Sequence, residues 1–334
     1  MRSQNIILLF SAVLLLNGCS VGQMVTNSYH GNRYLYTQDY NQGELTFRKA
    51  VAEDPDDPLA NYYLGRFILA QDKPKQALPY LDKAASLKPR NTDYLFWQGL
   101  AQGKAGKRKM ERKTYQKVLA INENHVPART FLGHNQFLAK EYQSALVTYN
   151  KVLEITPDNR SALYNRAMLA RHLKYTSEEK ASWLAYLWRY STGDFAVKAT
   201  DYLNQLGDFS YQNHNIGGQR TTLPKIWFKP LSDEITSRSL NTLNFIGDTA
   251  TNLEKGKLQI VVFQQNNKKL AKARALSIRK YLLDKHPGLS PKRIGVSWFG
   301  VSEKLVILEE KQKNPDSVRF FFTGLEKDIQ SKKK

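Results

Sequence analysis

Glycine recurs at Gly31, Gly65, Gly99 and Gly133, each 34 residues after the last, and Ala167 continues the series. Twelve residues beyond each stand Gly43, Ala77, Glu111, Ala145 and Glu179. Four further on come Phe47, Leu81, Tyr115, Tyr149 and Trp183, and three beyond those Ala50, Ala84, Val118, Val152 and Tyr186. Pro55, Pro89 and Pro157 close three of the units. A period sustained through five units constrains the fold more than any composition, because each unit must bury its apolar face on its neighbours. In the stretch KEYQSALVTYNKVLEITPDN, Tyr142, Ala145, Leu146, Tyr149, Val152 and Leu153 form one stripe at helical spacing. Proline after such a stripe stops the helix, since it lacks an amide donor and clashes with the preceding turn.

This sequence of small, small, large, small and proline resembles the tetratricopeptide repeat (TPR), over about Met24 to Ser191. The resemblance implies an α solenoid of helix pairs in which small residues allow close helix approach and the large residue fills the gap. The third unit, with Glu111 and Glu123, and the fifth are degenerate. Asp194 to Leu206 reads as one further helix, a cap with a polar outer side. In the family the first helix of each repeat lines a concave groove. The matching positions are Tyr62, Arg66, Phe96, Lys104, His134, Phe137, Tyr164 and Arg171. Aromatic surface beside fixed cations suits a peptide or a chain terminus bearing carboxylates. Packing between neighbouring repeats is the competing role for each single aromatic.

The only cysteine is Cys19. Before it, Ile6 to Leu16 is an apolar run too short to span a bilayer, which needs roughly 20 residues, but suited to the core of a secretory signal. Leu16-Asn17-Gly18-Cys19 resembles a bacterial lipobox, although Asn17 is a less usual residue there. The resemblance implies a lipoprotein signal peptide at 1–18, acylation of Cys19, and a lipidated tether at 19–23. Ser20 in place of aspartate implies an outer-membrane address on the periplasmic side. One thiol is all such an anchor requires, and several acyl chains hold where one binds only marginally. No intramolecular disulfide and no cysteine zinc site can form.

Asn213-His214-Asn215-Ile216-Gly217-Gly218 breaks the helical pattern, and 208–222 reads as a linker made flexible by two glycines. Beyond it the expectation is a strand at Lys225 to Phe228, a helix from Ser232 to Glu254, and a strand at Lys257 to Phe263. A basic helix at Leu270 to Leu283 follows, with strands at Arg293 to Gly300 and Ser317 to Gly324. That order implies a small α+β sandwich with helices on one face of the sheet. LAKARALSIRKYLL from Leu270, followed by GLSPKRIGVSWFG, resembles the OmpA-like peptidoglycan-binding domain, over 223–325, with a basic tail at 326–334. In that family an aspartate and a helix arginine jointly hold diaminopimelate. Arg274 falls on the arginine, but Gln264 to Lys269 supplies neither the aspartate nor the glycine of the loop, and the late asparagine-arginine-arginine motif is poorly kept around Asp316 to Arg319. Weak or altered peptidoglycan binding is implied, or binding of something else, with Arg274 then a surface arginine on a basic helix face.

Lys and Arg outnumber Asp and Glu by 50 to 30, an excess suited to anionic surfaces or acidic partners; for an exported chain nucleic acid is not expected. No G-x-S-x-G, phosphate loop, H-E-x-x-H or metal-ligand spacing of histidines occurs, so neither an enzyme nor a metal or cofactor other than the lipid on Cys19 is expected. The whole implies a lipid-anchored periplasmic scaffold. It would bind protein partners, such as a secretin or pilus component, and support an envelope-spanning machine of the tight-adherence or type IV pilus kind. The alternative is an adaptor that recruits or regulates peptidoglycan hydrolases or synthases.

Overall fold

The structure, a computed structural model, describes residues 25–253 and 255–324. Cys19, the expected signal and tether, and the basic tail at 326–334 lie outside these residues. Contacts divide the chain into two compact units, one ending at Pro157 and the other beginning at Asp158.

The first unit is made of tandem helices. Residues 25–36 are helical (α1). Then come α2 (Tyr40–Glu53), α3 (Pro58–Ala70), α4 (Pro74–Leu87), α5 (Thr92–Lys104), α6 (Arg108–Ile121), α7 (Val126–Leu138) and α8 (Tyr142–Ile155). The starts of α3, α5 and α7, at 58, 92 and 126, repeat the sequence period, as do those of α4, α6 and α8 at 74, 108 and 142. The periodic glycine has a direct cause. A Cβ at Gly99 would lie 2.7 Å from the ring of Tyr115, and one at Gly133 would lie 2.9 Å from the ring of Tyr149. Each glycine therefore lets a first helix rest on the large residue of its own second helix. Local capping sets the helix starts: Asp57 and Asn91 side chains accept amides of the first turns of α3 and α5. Pro58, Pro74 and the proline of Val126-Pro127 occupy first-turn positions where no donor is needed.

The second unit joins helices to a sheet. α9 (Arg160–His172), α10 (Thr176–Arg189) and α11 (Asp194–Gln205) continue the period, with α9 and α11 starting at 160 and 194. The segment read as a flexible linker is instead a β hairpin: β1 (Tyr211–Ile216) pairs antiparallel with β2 (Gln219–Pro224). Gly217 and Gly218, with φ of 59° and 83°, form the two-residue turn between Ile216 and Gln219. Positive φ at both centres is what a tight hairpin turn demands, so the glycines shape a turn here and loosen nothing. The cap is also not polar-ended. α11 packs on this hairpin, with Thr200 against Thr222 at 3.2 Å and the Asn213 amide donating to the Val197 carbonyl and the Asp201 carboxylate, both at 2.9 Å.

The rest comprises α12 (Leu240–Asn252), β3 (Lys257–Gln264), α13 (Lys268–Lys285), β4 (Ile294–Phe299), β5 (Glu303–Ile307), β6 (Glu310–Asn314) and β7 (Asp316–Thr323). Five strands form one sheet in the order β2-β1-β7-β3-β4, while β5 and β6 pair separately. β3 runs parallel to β4 and antiparallel to β7, and β1 meets β7 in parallel. Lys225 to Phe228 is not a strand; it contributes an isolated bridge from Phe228 to Ile235. The helix expected from Ser232 starts only at Leu240, after a short 3-10 turn at Ser237–Ser239. Alternation decides the layers. Leu258, Ile260, Val262, Val318 and Phe320 face Leu243, Ile246, Ala275 and Ile278 of α12 and α13 in one buried core.

Candidate functional site

In the first unit, aromatic side chains of α3 and α5 converge on one cation. The guanidinium of Arg66 lies 4.0 Å from the centroid of the Trp97 ring and 5.3 Å from that of Tyr62, and it donates to the Tyr62 hydroxyl at 3.1 Å. The Tyr62 ring packs at a tilt on that of Tyr94, with centroids 4.7 Å apart. Burial raises the Tyr62 hydroxyl, and it pushes Tyr94 up to about 12, so both remain neutral donors. The Nε of Arg66 is buried without a hydrogen-bond partner among the described residues. The rest of the guanidinium is half-buried, and a stacked cation of this kind is suited to donate to a carboxylate or a backbone carbonyl from outside. Trp97 was not among the positions read from the sequence. It follows Phe96 directly, and the helix turns it onto Arg66 while Phe96 turns inward.

The other positions of this unit divide by contact. Phe96 packs on Trp97, Tyr115, His125 and Phe131. His134 sits between the rings of Phe131 and Tyr149, and burial lowers its pKa, which keeps the imidazole neutral. Phe137 lies 5.8 Å from Tyr142. These three join neighbouring helices through ring contacts. Lys104 reaches the neighbouring turn and pairs with Asp72 at 2.8 Å, an exposed bridge.

In the second unit, Tyr164 is enclosed by Trp183, Tyr186 and Phe195, with ring centroids 5.0–5.3 Å away. Burial pushes its hydroxyl up to about 12. Arg171 donates to the Glu179 carboxylate at 2.9 Å and to Gln205 at 2.6 Å, and its guanidinium lies 4.6 Å from the Tyr202 ring. Its charge ties α9 to α10 and α11 and is not left free for a ligand.

Arg274 is the largest departure from the sequence reading. Its side chain is 7% exposed, so it is no surface arginine. Nε donates to the Ser232 carbonyl at 3.0 Å, while Nη1 reaches Gln264 at 2.6 Å and Asp316 at 3.2 Å. Phe228 lies under the guanidinium at 4.5 Å. Gln264 and Asp316 are register partners across β3 and β7, which places both on the same arginine. The counter-charge missing from the loop after β3 thus comes from β7, and Lys225 approaches its other oxygen at 3.6 Å. The sequence could not show this, because the two acceptors are distant along the chain and meet only through strand pairing.

A cavity of about 420 Å³ opens near β1, β3 and β7, lined in part by Phe263, Arg319, Phe321 and Arg220. Its cations are paired at home, Arg319 with Glu303 at 2.5 Å and Arg220 with Asp201 at 2.7 Å. Beside it, His214 accepts the Phe320 amide on Nδ1 at 3.2 Å, and burial, with Arg319 nearby, pulls its pKa down to about 3.

Residues 30–92 match the family model of the tetratricopeptide repeat. Among solved structures the chain is similar to PilF of Pseudomonas aeruginosa, at 17% identity and a TM-score of 0.47, over 53% of this chain and 85% of that one. It is similar to YrrB, described as a TPR protein with an unusual peptide-binding site, at 19% identity and a TM-score of 0.45, over 51% and 88%. It is also similar to MamA of Desulfovibrio magneticus RS-1, at 19% identity and a TM-score of 0.42, over 46% and 84%. Comparison with curated proteins finds no significant match.

Proposed function

We propose that the chain is a lipid-anchored periplasmic scaffold whose first-helix face grips a protein partner, in support of an envelope-spanning machine such as a pilus or secretion system. The observation that carries the binding role is the half-buried Arg66 guanidinium, held flat by Trp97 and Tyr62. Such a group offers a pre-oriented charge to a partner's carboxylate or chain end and keeps little conformational entropy to lose on binding. The anchor at Cys19 rests on the lipobox resemblance and on the absence of any second cysteine.

The C-terminal sheet resembles an OmpA-like domain in the order of β3, α13 and β4, and its arginine is already neutralised from within. In this reading it serves as a rigid shoulder for α11, and any hold on peptidoglycan is weak. Crosslinking and pull-down of the mature protein from its own envelope tests the scaffold role; recovery of no envelope-machine component would overturn it. Labelled palmitate should enter the wild-type chain and not Cys19→Ser, and a variant that still fractionates with outer membrane would overturn the anchor.

A further inference from the structure

The second helices carry a surface that the groove does not use. α6 holds five Lys and Arg against one Glu, whereas α4 holds two Lys against one Asp and α8 one Lys against one Glu. Its buried side is Glu111, Thr114, Tyr115 and Val118. Its exposed side presents Arg108, Lys109, Lys113 and Lys117, with Arg112 half-buried between them. Lys109, Lys113 and Lys117 make no ion pair among the described residues. A helix charged on one side so heavily gains nothing in stability from it, since neighbouring cations repel.

A cleft of about 410 Å³ runs along this face to the end of α7. One carboxylate of the chain already sits in it: Arg112 holds both oxygens of Glu141, at 2.8 and 2.9 Å, while its Nε donates to Asn135 at 2.8 Å. The cleft therefore has donor geometry that a carboxylate fits, and a single Glu leaves most of the surrounding charge unanswered.

We propose that the exposed face of α6 is a docking surface for an acidic segment of a partner protein. From Arg108 to Lys117 the cations span about 13 Å of helix, the reach of roughly four extended residues. Flexible lysines, as point charges on long stems, suit side-chain carboxylates at several positions. The confinement of the charge to one helix favours a chain segment over a bilayer, because the flanking helices α4 and α8 do not extend the basic surface. The face also shows only Met110 as a large exposed apolar side chain, where membrane-seating helices bring several, with aromatics. This surface is independent of the Arg66 cluster, and neither needs the other.

The test uses the full-length chain and a fluorescein-labelled peptide of six Glu-Ser repeats, read by anisotropy at low and moderate salt. The expected result is saturable binding that weakens with salt and falls about tenfold or more in Lys109→Glu/Lys113→Glu/Lys117→Glu. Lys280→Glu/Lys285→Glu/Lys292→Glu, with the same change in net charge, should lower it less than about threefold. The corresponding Lys→Gln triple in α6, which disturbs the helix less, should fall between wild type and the reversal. No binding of the peptide, or equal loss in the two reversed variants, overturns the proposal. So does tighter, α6-dependent binding to phosphatidylglycerol vesicles, which would assign the surface to lipid.

Discussion

Arg274 and Asp316 meet at 3.2 Å, the arginine from the middle of α13 and the aspartate from the first residue of β7. The pair is 7% and 35% exposed, so the cation has left water and the anion only partly. With Gln264 and the Ser232 carbonyl it occupies Nε and Nη1 of the guanidinium from inside the protein.

Arg274→Ala should therefore act on stability and leave wall binding where it was. Removing one partner of a mostly buried, hydrogen-bonded pair costs about 1–3 kcal/mol, less than for a fully buried one because Asp316 is part-solvated. Denaturant melting of the full chain should show the loss. Cosedimentation with sacculi should be weak, fade with salt and differ little between wild type and variant. Tight, salt-resistant cosedimentation abolished by the substitution would mean that the arginine opens to ligand.

Arg66 and Arg171 occupy comparable places on first helices but should separate experimentally. Arg66→Lys keeps the charge and loses the stacked fork. A contact of hot-spot quality then loses upwards of about 1 kcal/mol of partner binding, with melting close to wild type. Arg171→Lys should do the reverse, because one ammonium cannot keep Glu179 and Gln205 as the guanidinium does. Partner capture alongside thermal melting reads both, and equal behaviour of the two variants would contradict the assignment.

Gly133→Ala tests the cause of the period. The added methyl would lie 2.9 Å from the wholly buried Tyr149 ring. Overpacking of this kind costs about 1–3 kcal/mol, against up to about 1 kcal/mol that alanine gains over glycine in a helix. Net destabilisation is expected in urea melts. Gly133→Ala/Tyr149→Leu should recover part of it by making room; a stabilised single variant would show that the close approach is not what fixes glycine there.

His214 should make the second unit acid-sensitive. Its folded pKa, about 3, is depressed below the ordinary 6.5, so the unfolded chain binds the extra proton. The stabilisation is complete above pH 6.5 and is lost as pH falls from there toward 3. By pH 4 the loss is on the order of 3 kcal/mol from this group. His214→Asn, which keeps an acceptor for the Phe320 amide, should flatten the decline between pH 6.5 and 4. An unchanged slope would place the acid sensitivity elsewhere.

The period by itself determined the helical half: helix starts at 58, 92, 126 and 160 keep step with Gly65, Gly99, Gly133 and Ala167, because a first helix touches its own second helix 16 residues on, as Gly99 does Tyr115 and Gly133 does Tyr149. The strands β3, β4 and β7 were legible too, as short apolar runs. Tertiary structure decided what depends on distant pairing. Gly217 and Gly218 read as a flexible linker, and become a turn because β1 pairs with β2 and, through Asn215 opposite Phe321, joins β7. Trp97 becomes part of the site only because α3 and α5 pack side by side, and Arg274 changes from ligand donor to internal tie because β3 and β7 bring Gln264 and Asp316 to one end of the sheet. Side chains that meet within one repeat leave a spacing in the sequence, whereas those joined across a sheet leave none.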